Sequence, residues 1–81
     1  MELRFHPHAV SRMLDRRISV EEVEQIVSAP DGIISQSKDK SIRYKKLAHR
    51  KDNLVAAVVV ETRPGNIFEV ITVLVNFEVR K

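Results

Sequence analysis

Hydrophobic positions along the 81-residue chain change their period near Gly32. Residues 3–6, Leu-Arg-Phe-His, alternate apolar and polar and predict a short extended entry segment. Pro7 then opens a helix, because its missing N–H costs nothing in a first turn. Within 8–17, Ala9, Val10, Met13 and Leu14 recur at helical spacing, with His8, Arg12, Asp15 and Arg16 on the opposite stripe. Ser19-Val20-Glu21-Glu22 reads as a capping box, in which the Ser hydroxyl takes the N3 amide and Glu22 reaches back. A second helix follows over 20–28, with Val20, Val23, Ile26 and Val27 inward, and Pro30 and Gly32 stop it.

Beyond Gly32 the period falls to two. Residues 33–37 and 41–49 predict short strands, the second with Ile42 and Tyr44 on one face and Arg43 and Lys45 on the other. Residues 54–61, LVAAVVVE, form a nearly continuous apolar run rich in β-branched residues and predict a buried central strand. Residues 67–75 predict a partner strand, reached through a type II turn centred on Pro64-Gly65. With Arg63 and Asn66 flanking that turn, Ala57 falls opposite Thr72 and Val58 opposite Ile71. Leu54, Val58, Val60, Ile71, Val73 and Val75 then share one face, and Val55, Val59, Phe68, Val70 and Leu74 the other. The expected fold is one α+β domain spanning 1–81: two N-terminal helices packed on a small antiparallel sheet of about four strands. Such a sheet has a second apolar face that needs another cover or serves as an interaction surface.

Composition narrows the classes. Hydrophobic residues make up 43% and charged residues 31%, which fits a folded chain rather than a disordered one. No run approaches the ~18 apolar residues of a membrane span. The start of the chain has no apolar signal core and the sequence has no Cys, so a cytoplasmic location is expected, with no thiol chemistry. The formal charge of +3 hides an asymmetry. Residues 38–51 hold seven Lys and Arg against one acidic residue, a net +6, which leaves −3 for the rest.

Two sets of residues carry candidate chemistry. His8, Arg12 and Arg16 stand at i, i+4 and i+8. Cleaving RNA needs a proton acceptor for the 2′-OH, a proton donor for the leaving oxygen and positive charge at the phosphate. A histidine serves either proton role near neutrality, and arginine presents a fork of donors to phosphate oxygens. The bland alternative is a solvated helix face with weak local contacts. The basic segment supplies Lys38, Lys40, Arg43, Lys45, Lys46, His49 and Arg50, with Tyr44 as an aromatic on which a base can stack. Its alternative is a charged edge strand that blocks aggregation. His6 and His8 at i, i+2 lack a third ligand, so no metal is expected. Glu61 and Glu69 fall on opposite faces and make no carboxylate pair. Thr72 is a lone hydroxyl on an apolar strand.

The stretch Phe5-His6-Pro7-His8-Ala9-Val10-Ser11-Arg12-Met13-Leu14-Asp15-Arg16-Arg17-Ile18-Ser19 resembles the His-Ala-x-x-Arg-Met-x-x-Arg-x-Ile-Ser opening of a family of small bacterial domains of unknown function. The likeness continues through Glu21-Glu22-Val23, Pro30, the basic strand and Val70-Ile71-Thr72-Val73, and so covers essentially the whole chain. That family is similar in layout to RelE/ParE-type toxins and to small metal-independent ribonucleases. The resemblance implies a toxin-like endoribonuclease, or a relative without activity, paired with an antitoxin. His8, Arg12 and Arg16 carry over from the opening motif and Thr72 from the last strand. Leu74 stands where the pattern expects an aromatic, Tyr44 is the single Tyr, and the tail offers only Arg80 and Lys81.

The expectation is therefore a metal- and cofactor-independent endoribonuclease leaving a 2′,3′-cyclic phosphate. His8 would be general base or acid, Arg12, Arg16 and Arg43 would stabilise the phosphorane, and Lys45 would hold backbone phosphate. Expected partners are RNA and, on an apolar sheet face, a cognate antitoxin or another protein chain, a second copy of this one included; no membrane is expected. The competing expectation is a non-catalytic module that docks nucleic acid or an acidic protein. A third is a toxin that inhibits by binding gyrase or the translation machinery.

Overall fold

The computed structural model describes residues 2–51, 53–62 and 66–79. Its elements are β1 (Glu2–Phe5), α1 (Pro7–Arg16), α2 (Val20–Ser28), β2 (Gly32–Ser35), β3 (Lys40–Lys45), β4 (Leu54–Thr62) and β5 (Ile67–Phe77). The expected turn at Arg63, Pro64 and Gly65 lies outside the described residues.

Both helices form where local chemistry directs. His6 caps α1, its Nδ1 accepting the His8 N–H at 3.2 Å, and Pro7 occupies the first turn. Arg17 ends α1 in the left-handed region at φ 55°, with its N–H turned back to Leu14. The capping box of α2 is complete: Glu22 N–H donates to Ser19 Oγ at 3.1 Å and Ser19 N–H to Glu22 Oε1 at 2.7 Å.

The sheet differs from the expected four antiparallel strands. It has five, in the order β1-β5-β4-β3-β2, and it is mixed. The entry segment forms β1 and pairs in parallel with β5, Glu2 opposite Ile67 and Phe5 opposite Val70. The long strand β5 offers an open edge, and β1 occupies it while turning Leu3 and Phe5 toward the core. The alternation of residues 3–6 was a strand signal. Its partner, more than 60 residues away, had no local mark.

The register of β4 and β5 also departs from expectation. Thr62 to Val59 pair with Ile67 to Val70 as the turn predicts, but Val58 faces Thr72 and Ala57 faces Val73. One extra residue, Ile71, bulges out of β5 between these runs. Such a bulge exchanges the two faces of the strand beyond it, because side chains alternate with period two. Val73 and Val75 therefore join Phe68 and Val70 toward the core, and Leu74 turns to the other side at 40% exposure.

The core lies between the helices and one sheet face. Ala9 and Met13 of α1, Val23, Ile26 and Val27 of α2, and Ile18 between them meet Val55, Ala57, Val59, Phe68, Val70 and Val73. α1 packs on β5, and α2 on β3 and β4. Leu47, in the connection after β3, is buried in the same cluster at 2% exposure. The opposite face carries the row Ile34, Ile42, Val58 and Thr72 and the row Tyr44, Ala56 and Leu74. Among the described residues no helix covers that face. No helix is long and apolar enough to cross a membrane among the described residues.

Candidate functional site

The cations of the basic segment divide by position. Arg43 and Lys45 alternate with Ile42 and Tyr44 as the pattern predicts, but the face they occupy is the helix-covered one. Arg43 stands opposite Ala57, whose small side chain leaves room for it to cross β4. Its guanidinium lies 4.7 Å from the centre of the Phe68 ring, and Nη1 donates to Val27 O at 2.7 Å. Its Nε is enclosed without a hydrogen-bond partner. Lys45 Nζ donates to Ala29 O at 2.8 Å and stands 3.8 Å from Asp31. Both oxygens belong to the end of α2, which has no basic residue in its own last turn. Helix ends leave carbonyls unsatisfied and favour positive charge. Two strand cations meet that need from across the layer.

Lys38 and Lys40 border a shallow cleft of about 150 Å³ at the far end of β2 and β3, with Ser35, Ser41, Arg43 and Glu61. Tyr44 is on the opposite face, where its ring tilts against Phe77 at 5.7 Å. It lies across Gly32, where any side chain would collide with the tyrosine ring. The sheet therefore separates Tyr44 from Arg43 and Lys45. Thr72 is also on the uncovered face, opposite Val58, with the sheet between it and α1.

His8, Arg12 and Arg16 are all exposed on one flank of α1. At 1.5 Å rise per residue, His8 and Arg16 lie about 12 Å apart along the axis, a little over two turns from each other. The stripe is real, but it is a line and not a point. Among the described residues no hydrogen bond or ion pair engages the side chains of Arg12 or Arg16.

A different cluster forms where the end of α1, the start of α2 and the loop after β3 meet. His49 Nε2 lies 2.6 Å from Glu22 Oε2. The carboxylate side chain is 10% exposed and the imidazole 65%, so the pair has a buried anchor and an open working end. Arg50 Nη1 stands 3.8 Å from the same Glu22 oxygen. It also donates to Arg17 O at 2.9 Å, and Nη2 donates to Arg16 O at 3.1 Å, closing the end of α1. Leu47 pegs this loop into the core, and the Lys46 N–H donates to Asp31 Oδ2 at 2.8 Å.

Burial alone would push the Glu22 carboxyl up. The Ser19 N–H, the His49 imidazole, the Ser19 hydroxyl and the Arg50 charge together hold it below its ordinary value. The group is thus an ionised acceptor at neutral pH. It follows that Nε2 of a neutral His49 carries the proton and that the lone pair is on Nδ1. A histidine held in one tautomer by a carboxylate is equipped to take a proton at its other nitrogen. Lys46 Nζ donates to Arg50 O at 3.5 Å, and Arg16 and Arg17, whose carbonyls Arg50 closes, have exposed side chains, as does Lys51 beside it in the chain.

The sequence marked His49 and Arg50 as members of a basic run. It marked Glu22 as a capping residue. Their meeting, 27 positions apart, had no local signal.

Over residues 5–75 the sequence matches the family described as Domain of unknown function (DUF4258). No curated protein and no solved structure matches the chain.

Proposed function

The chain belongs to the DUF4258 family, and from its site we propose a metal-independent endoribonuclease of toxin type, the class that the resemblance expected from the sequence implies. The observation that carries this reading is the exposed His49 held by the buried Glu22 at 2.6 Å inside a basic corner. His49 Nδ1 takes the proton of a ribose 2′-OH. The freed oxygen attacks the adjacent phosphorus, and the bond to the 5′-oxygen breaks, that oxygen taking a proton from water. The products are a 2′,3′-cyclic phosphate and a 5′-hydroxyl. Glu22 is a positioning residue that fixes the imidazole and stabilises the imidazolium. Arg16 supplies charge at the scissile phosphate. The uncovered sheet face offers the apolar surface on which an antitoxin would sit.

The test uses purified chain, free of partner, on single-stranded RNA in excess EDTA. Cleavage with cyclic-phosphate ends is expected. His49→Ala should lower the rate about 100-fold or more, in line with loss of a general base. His8→Ala should leave it within a few-fold. RNA left intact by the wild-type chain, or equal rates for wild type and His49→Ala, overturns the proposal.

A further inference from the structure

Arg16 belongs to two features at once. Its carbonyl accepts from Arg50 in the corner that holds His49, and its side chain ends the exposed stripe of α1. From Arg16 the stripe runs back through Arg12 to His8, in steps of about 6 Å along the axis. Steps of that size match the separation of successive phosphates in an extended strand. Arg4 pairs with Glu2, Arg43 with Val27, Lys45 with Ala29 and Arg50 with α1, whereas Arg17, Lys38, Lys40 and Lys51 are exposed but do not continue this stripe. Arg12 and Arg16 are exposed and have no partner among the described residues. Even Asp15, three positions from Arg12 on the same helix, makes no ion pair with it.

We propose that this flank of α1 is a phosphate ladder for single-stranded RNA. Resting on the ribonuclease reading, Arg16 meets the scissile phosphate at the His49 corner. Arg12 meets the next phosphate, and His8 hydrogen-bonds the one after it. Three consecutive phosphates correspond to a segment of four nucleotides. Asp15 opposes the strand electrostatically and limits its affinity.

The probe is 2′-O-methyl oligouridine, which cannot undergo attack by a 2′-OH, so binding is read apart from cleavage. Anisotropy is followed against salt for lengths of two, four and eight nucleotides. Neutralising one phosphate contact to a single strand removes about 0.7 from the log–log salt slope. Arg12→Gln should lower the slope by about that amount with the four- and eight-nucleotide probes and leave the dinucleotide unaffected. Asp15→Asn should tighten binding several-fold. Arg4→Gln, which removes the same net charge elsewhere, should change the slope little.

Equal losses from Arg12→Gln and Arg4→Gln would reduce the effect to net charge and overturn the ladder. So would a length-independent effect of Arg12→Gln. Cleavage by the wild-type chain together with an unchanged slope in Arg12→Gln removes the ladder and leaves the ribonuclease standing. The expected slopes without any cleavage leave a single-strand binding ladder and remove the ribonuclease.

Discussion

Arg43 and Lys45 on β3 both end on carbonyls at the C-terminal end of α2, while His49, four residues beyond Lys45, is 65% exposed and, among the described residues, held at one nitrogen. One charged run along the chain thus feeds two regions with opposite tasks. The strand half directs Arg43 and Lys45 under the helix layer, where they complete a helix end that lacks basic residues of its own. The loop half is pegged by Leu47; it spends Arg50 on the end of α1 and leaves Lys46, His49 and Lys51 exposed. Counting charge in a segment therefore overstates what is offered to a ligand. The useful quantity is the charge that remains after the fold has used its share.

The largest effect should come from the strand half. Arg43→Ala strands the Val27 carbonyl and removes a charge-assisted hydrogen bond worth about 1.5–3 kcal/mol, with a further contribution from the lost cation–π contact. Denaturation in urea should show a loss of about 2–3 kcal/mol. The salt slope of RNA binding, measured well below the transition, should stay where it is. A stable Arg43→Ala protein with a reduced slope would reverse the assignment of the two halves.

Glu22 links the regions through acid. Its carboxyl is held below the ordinary value of 4.5, so the folded state binds this proton less readily than the unfolded chain. The resulting stability is fully present above the unfolded value and is lost as pH falls through the lower folded value. Glu22→Gln should cost about 1–2 kcal/mol at pH 7, from the weakened cap and the lost charge beside His49 and Arg50. Its deficit against wild type should shrink as pH falls below about 4.5, where the unfolded chain takes up the proton before the folded carboxyl does. Parallel stability curves across that range would show that Glu22 is not held by these partners.

How much of this was legible follows from the range of each interaction. The capping box at Ser19 and Glu22 spans three residues, and both halves are present. The alternation along β3 is also local, and it sorted Tyr44 from Arg43 correctly. Local pattern does not tell which face meets a helix. Apolar Ile42 and Tyr44 suggest the buried side, yet α2 lies over Arg43 because its terminal carbonyls need donors. The bulge at Ile71 has no signature in a run of β-branched residues, and it turned Val73, Val75 and Leu74 about. The parallel pairing of β1 and the meeting of Glu22 with His49 join positions that are remote in sequence. They are consequences of how the layers stack, and no window of the chain contains them.

The smallest effect sharpens the comparison at the junction itself. Arg17 ends α1 at φ 55°, a conformation that costs a non-glycine residue about 1 kcal/mol, and its side chain is exposed beside the His49 corner. Glycine is the residue that local energetics would place there. Arg17→Gly should raise stability by up to about 1 kcal/mol, since the backbone strain is relieved and no described side-chain contact is lost. If the corner binds RNA, the same change should lower the log–log salt slope by about 0.7. A gain in stability joined to a loss in binding would show a strained helix end retained for the charge it presents. A gain in stability with an unchanged slope would make Arg17 a neutral occupant of the cap and confine the phosphate contacts to Arg16 and the flank of α1.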